Sequence, residues 1–273
     1  MSKNKMKTQE NLLLIQKMYN EGMTFKQIAN MFEGISYGTI RNWLIEMGVD
    51  IRQKGPKSKI NKEDYFDVIN TNKKAYWLGY LMADGCVSLY NNQYSLKLHT
   101  ALDDNILIDT FIKDIDSSNK PYIQEQNKNG KCYKSYSVSL SSKHMVETLI
   151  SYGITENKSG NEIIPKNIDE KYYPDFIRGY FDGDGCASID SQNNKRIGFI
   201  APLNVLEDIV SIIGLKNINF LRSQCETEMY YFNTSLQENV KMFYDYIYKD
   251  NSCFCLQRKK KRIENMISQY RDN

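Results

Sequence analysis

Two aspartates carry the clearest chemical signal in the 273-residue chain. Asp84 and Asp184 each end an apolar stretch and each precede a glycine. The surrounding segments are copies of one another at an offset of 100. Six of twelve positions agree: Gly79/Gly179, Tyr80/Tyr180, Asp84/Asp184, Gly85/Gly185, Cys86/Cys186 and Ser88/Ser188. The plain reading of an apolar helix ending in Asp-Gly is a C-terminal turn with a left-handed glycine. A carboxylate at a helix C-terminus, however, faces the negative end of the macrodipole and needs a compensating cation. If the two helices pack side by side, Gly79 and Gly179 let the backbones approach, and Asp84 and Asp184 meet at the foot of the interface. Carboxylates that close repel or share protons unless a divalent ion sits between them. Hard oxygen donors suit Mg²⁺, with Mn²⁺ as a substitute, and the expected chemistry is phosphodiester cleavage at two or three metal ions.

The flanking patterns define what must position this pair. After the first copy come alternating runs (Cys86 to Leu89, Tyr94 to Thr100), a helical stretch (Asp103 to Ile115), two further strands (Tyr122 to Gln126, Tyr133 to Leu140) and a helix (Lys143 to Tyr152). After the second copy the order recurs. It runs Cys186 to Ile189, Arg196 to Ile200, the helix Leu203 to Ile213, strands near Ile218 to Arg222 and Met229 to Phe232, and the helix Leu236 to Tyr248. Each half is therefore αββαββα, an α+β unit with an antiparallel sheet, and the halves should pack about a pseudo-twofold axis. The expected limits are 63–165 and 166–273.

Trp77-Leu-Gly-Tyr-Leu-Met-Ala-Asp-Gly85 and Ile177-Arg-Gly-Tyr-Phe-Asp-Gly-Asp-Gly185 resemble the paired motif of the LAGLIDADG homing endonucleases. The resemblance spans about residues 63–270. It implies that the motif helices form the interface between halves and that Asp84 and Asp184 bind metal, with Ala83 and Gly183 beside them in the ligand set. It also implies sheets lying in the major groove of double-stranded DNA, with Lys97, His99 and Arg196 among the contacts, and hydrolysis of both strands leaving short 3′ overhangs. Family members carry a basic residue near each scissile phosphate, just after the last helix of each half, as a catalytic group that stabilises the phosphorane or polarises the attacking water. The matching segments point to Lys158 and Lys259, 74 and 75 residues beyond their aspartates, with Arg258 adjacent. The first motif departs from the pattern: Met82 replaces an earlier acid that is structural in the family, and Trp77 replaces the leading Leu.

The amino-terminal segment has a different pattern. Leu12, Leu13, Ile15, Met18 and Tyr19 have helical spacing up to Gly22. Thr24 caps a second helix with Phe25, Ile28 and Phe32 on one face, and Ser36 caps a third with Ile40, Trp43, Leu44 and Met47 inward. Three short helices with a tight turn before the last resemble the helix-turn-helix of the resolvase and homeodomain-like group, matched at Thr24, Ile28, Ala29, Thr39, Ile40, Trp43 and Leu44. The resemblance implies DNA contact by Ser36, Tyr37, Thr39, Arg41 and Asn42 at the start of the third helix. The expected domain is 1–52, joined by a basic linker at 53–62. Arg52 and Lys54, around that junction, suit phosphate contact.

Charge agrees with this division. Residues 1–62 hold eleven basic and five acidic side chains, a net +6, whereas the whole chain carries only +3. A basic head on a near-neutral body suggests a polyanionic partner. No run of about 18 apolar residues exists, so no membrane span is expected. The six cysteines contain no Cys-x-x-Cys, which argues against a zinc ribbon and for reduced thiols in a cytoplasmic protein. His99 and His144 are the only histidines, too few for a histidine-based metal nuclease. The reading that unites these features is a monomeric homing endonuclease with an N-terminal helix-turn-helix. The alternatives on the same fold are a transcription regulator, against which both retained aspartates argue, and an RNA-binding intron maturase.

Overall fold

Three hydroxyl side chains start the first three helices. Thr8, Thr24 and Ser36 each accept a hydrogen bond from the backbone amide three residues on, and Gln27 returns a bond to the Thr24 amide. The helices are α1 (Gln9–Asn20), α2 (Phe25–Asn30) and α3 (Tyr37–Glu46). Their inward faces meet in a small core of Ile15, Ile28, Ile40 and Leu44, closed by Tyr19 stacked on Phe25 at 5.1 Å. The computed structural model describes residues 6–32, 34–51, 58–91, 93–128, 130–224, 227–250 and 252–271. The chain divides into two compact units at residues 57/58, each with a core of its own.

The body begins at Ser58, earlier than the expected residue 63. Ile60 is buried and pairs with Ser117, while the Ser118 amide donates to the Lys59 carbonyl, so 58–62 belong to the body and not to a linker. Its first half runs α4 (Asn72–Asp84), β1 (Cys86–Tyr90), β2 (Gln93–Ala101), α5 (Ile106–Asp114), β3 (Tyr122–Lys128), β4 (Lys131–Ser141) and α6 (Lys143–Ser151). The second runs α7 (Tyr173–Asp184), β5 (Gly185–Ile189), β6 (Lys195–Ala201), α8 (Leu203–Ile213), β7 (Leu221–Arg222), β8 (Tyr230–Thr234) and α9 (Gln237–Ile247), followed by α10 (Gln257–Arg271). The αββαββα order holds in both halves. Strand β7 is shorter than the pattern suggested, and α5 begins three residues late because 102–104 form a 3₁₀ turn.

Each sheet is antiparallel, in the order β1-β2-β4-β3 and β5-β6-β8-β7. Alternation sends Leu96, Leu98 and Val138 inward and leaves Lys97, His99 and a row of Ser135, Ser137 and Ser139 on the opposite face. Helices α4 and α7 form the centre. In α4 every residue from Ala75 to Ala83 is buried, so this helix has no polar side and is covered all round.

Helix α10 opens on the lysine-rich segment that the resemblance singled out at Lys259. It is seated in the body by Ile263 and Met266, both fully buried, and by Lys259 and Lys260, which are 6% and 7% exposed.

Candidate active site

Helices α4 and α7 cross at their glycines. A Cβ added to Gly79 would lie 1.9 Å from the Phe176 carbonyl oxygen, and one on Gly179 would lie 1.9 Å from that of Tyr76. Both helices then end on their aspartates, Asp84 and Asp184, at the foot of the crossing. The ends are in contact, since a Cβ on Gly183 would come within 2.4 Å of Ala83 Cβ and 3.3 Å of Asp84 Oδ2. The glycines after the acids are not left-handed: Gly85 has φ −71° and Gly185 φ −78°. They are required for space, because a Cβ would strike the Leu81 carbonyl at 2.5 Å or the Phe181 ring at 2.0 Å.

The cation demanded by these helix ends is present twice. Lys158 Nζ donates to the Ala83 carbonyl at 2.5 Å. Lys259 Nζ donates to the carbonyls of Phe181 (2.7 Å), Asp182 (2.8 Å), Gly183 (3.2 Å) and Gly185 (2.7 Å). Both lysines are buried, and both charges favour the ionised forms of Asp84 and Asp184. The carbonyls of Ala83 and Gly183 thus already serve the lysines, each keeping a second lone pair.

Burial dominates the electrostatics of the acids. It raises Asp84 above the ordinary carboxylate range, against a Tyr80 hydroxyl bond and the two lysines. Asp184 is pushed up to about 7, first by burial and then by the charge of Asp84. Two partly dehydrated carboxylates that oppose each other's ionisation form a donor set that fits a hard divalent cation. Among the described residues no cluster of three His, Cys, Asp or Glu side chains could hold a metal. Further ligands would therefore come from backbone oxygens, water or a phosphate.

The two ends of the crossing are chemically unequal. An open cleft of about 320 Å³ borders Asp84 and is lined also by Tyr80, His99, Asp104 and Arg258. His99 Nδ1 pairs with Ser137 Oγ at 2.7 Å, and burial followed by Lys97 lowers its basicity. The strand register makes Ile200 the counterpart of His99, because Lys97 opposes Cys86 whereas Gly198 opposes Cys186. Tyr80 bonds Asp84, but the buried Tyr180 hydroxyl near Asp184 has no partner among the described residues. Arg258 forms a bidentate pair with Asp104 across the two halves, at 2.6–3.2 Å. Asp104 carries no signal in the sequence. It joins the site only because the turn before α5 meets the start of α10.

Asp182, the earlier acid that Met82 replaces in the first copy, is buried and lines the same cleft. Its Oδ2 accepts from the Tyr76 hydroxyl and the Leu256 amide, both at 2.7 Å, and burial raises it to about 6.

The remaining sequence candidates lie elsewhere. Lys97 and Arg196 are exposed on the outward sheet faces, Arg196 within 3.9 Å of Asp190. Ser36, Tyr37, Thr39, Arg41 and Asn42 belong to the amino-terminal unit. There Ser36 and Thr39 bond each other at 3.0 Å, and Tyr37, Arg41 and Asn42 are exposed. Arg52 and Lys54 fall outside the described residues. Among the described residues no helix is long and apolar enough to cross a membrane.

No protein-family model and no curated protein matches the chain. Solved structures do. The homing endonuclease I-WcaI bound to its DNA recognition sequence superposes with a TM-score of 0.52 at 14% identity, over 77% of this chain and 94% of that one. The LAGLIDADG meganuclease I-AabMI bound to uncleaved DNA gives 0.48 at 12% identity, over 71% and 88%. I-DmoI in complex with DNA and Ca gives 0.43 at 16% identity, over 70% and 92%. The body has the two-half LAGLIDADG endonuclease fold in a single chain.

Proposed function

We propose that a chain with this fold and this pair of buried aspartates is a site-specific endonuclease that cuts both strands of DNA. One observation carries the reading. Asp84 and Asp184 converge at the foot of the α4–α7 crossing, each helix end held by a buried lysine, between two antiparallel sheets. Asp84 and Asp184 would hold Mg²⁺, or Mn²⁺ in its place, which when bound supplies Lewis-acid polarisation of the phosphate and activation of water. The protein's own groups do the positioning. Lys158 and Lys259 fix the helix ends, and Tyr80 orients the Asp84 carboxylate. His99, tethered by Ser137, presents a nitrogen-bearing ring to the cleft where a water or a phosphate oxygen would sit. Two centres about a pseudo-twofold axis suit the two strands of a duplex, cut with 3′ overhangs, so one chain suffices and the working form is a monomer. The outward sheet faces, carrying Lys97, His99 and Arg196, supply the long groove contact. The amino-terminal unit is a helix-turn-helix that adds a second DNA contact.

The test is cleavage of DNA from a relative lacking this gene, in Mg²⁺ or EDTA. Discrete metal-dependent cuts by the wild type that Asp84→Asn and Asp184→Asn abolish support the reading. Specific binding without cutting under any metal would replace it with a regulator.

A further inference from the structure

Residues 252–256, just ahead of α10, form a strap against the central helices. Phe254 packs its ring against Tyr76 and Trp77, with centroids at 5.1 and 5.3 Å, and its carbonyl accepts from Arg178 Nε at 3.0 Å. The Leu256 amide closes on Asp182, and one turn later Lys259 reaches the four carbonyls at the end of α7. On either side of Phe254 stand Cys253, half-buried, and Cys255, buried. The two cysteines stand two residues apart in the chain. They line a cavity of about 710 Å³, so small solutes have a route to them. Nothing in the proposed cleavage chemistry uses either sulfur.

We propose that Cys253 and Cys255 are a redox-active dithiol: a hydroperoxide oxidises Cys253, and Cys255 resolves the product to an intrachain disulfide that slackens the strap. The steps balance. The Cys253 sulfur attacks the peroxide, the O–O bond breaks, and Cys253 becomes the sulfenic acid with release of water or alcohol. Cys255 then attacks that sulfur, an S–S bond forms, and a second water leaves, so two thiols lose two electrons to one peroxide.

The surroundings divide the two roles. Cys253 is lowered to about 7, foremost by the neighbouring Cys255 thiol and then by Arg178 and Lys260, against burial and the charge of Asp175. Cys255 is held as the thiol by the neighbouring Cys253, by burial and by the charge of Asp182, with Lys260 opposing. Arg178 and Lys260 are themselves buried, so their fields act at short range through little water. The sulfur that attacks first is the more accessible one, and its resolver stands two residues further along the chain. Residues two apart on extended backbone have Cα atoms about 7 Å apart, at the upper edge of what a disulfide spans. Closing the bond therefore draws the backbone in at Phe254, the residue that anchors the strap to Arg178, Tyr76 and Trp77.

The test uses the full-length chain and hydrogen peroxide, and needs no DNA, so it stands or falls separately from the nuclease reading. Stoichiometric peroxide should lower the intact mass by about 2 Da, reversibly with dithiothreitol, and peptide mapping should link Cys253 to Cys255. Cys255→Ser should instead accumulate a dimedone-reactive sulfenic acid on Cys253. Iodoacetamide labelling of Cys253 should rise with a midpoint near pH 7. Amide exchange at Leu256 should speed up by roughly tenfold on oxidation and recover on reduction. Oxidation at Cys86, Cys132 or Cys186 with the 253/255 thiols unchanged would overturn the dithiol. A formed disulfide with unchanged Leu256 exchange would overturn the slackened strap.

Discussion

At the level of single residues, the candidate centre is a balance of buried charges. Asp84 and Asp184 are dehydrated, and Lys158 and Lys259 lie within the same few ångströms of helix terminus, so removing either sign leaves the other uncompensated. Asp84→Asn and Asp184→Asn keep the shape of the site and remove a hard anionic ligand. Both should retain DNA affinity in a gel-shift assay while losing cleavage by about a thousandfold. Lys259→Met should act differently, because it strips four carbonyl bonds from the end of α7. Its expected signature is a loss of about 3 kcal/mol in urea unfolding. His99 has Ile200 as its counterpart, so the two strands should not be cut by equivalent machinery. His99→Ala should slow one strand by about a hundredfold and accumulate nicked circles from a supercoiled plasmid carrying the target. Equal slowing of both strands would remove His99 from that role.

Elements matter here through how closely they approach. The α4–α7 crossing has backbone against backbone, with Gly79 facing the Phe176 carbonyl and Gly179 that of Tyr76. Neither partner is the flexible end of a side chain, so neither can give way. Gly79→Ala should therefore cost about 3 kcal/mol or more by equilibrium unfolding and lower the melting temperature. It should also impair cleavage, because separating the helices separates the aspartates. A control is Gly38→Ala, whose added Cβ would meet only Ser36 Oγ at 3.8 Å, and which should be near neutral. Helix α10 shows what local composition leaves open. Its start, Gln257-Arg-Lys-Lys-Lys-Arg262, has the composition of a solvated surface, yet Lys259 and Lys260 point inward because a helix terminus and a tyrosine ring receive them. Composition cannot reveal that, since the receiving carbonyls belong to residues about 75 positions earlier.

Taken whole, the chain has two cores, one in each compact unit. The boundary at 57/58 predicts that residues 58–273 fold alone with an unchanged melting temperature, whereas a cut at residue 62 would remove Ile60 and its pairing with Ser117. The shortened protein should bind its DNA target about a hundredfold more weakly, through loss of the second contact, and still cut when enough enzyme is supplied. Unchanged affinity would show that the amino-terminal unit has another task.

What the sequence determined by itself is whatever depends on local pattern or on internal repetition. The duplicated Gly-Tyr and Asp-Gly positions located both motif helices, and the order of alternating and helical runs after each copy is the order observed. Thr24 and Ser36 marked helix starts because capping is satisfied within three residues. The tertiary structure alone decided which groups meet across long separations: Arg258 with Asp104, Asp182 with Tyr76 and Leu256, and Phe254 with Arg178. It also decided why Gly85 and Gly185 are glycines, an answer found in packing space and not in backbone dihedral. The unequal surroundings of the two aspartates belong to this class as well. A one-residue difference in hairpin length shifts the register, and register sets which side chain of a strand faces the cleft.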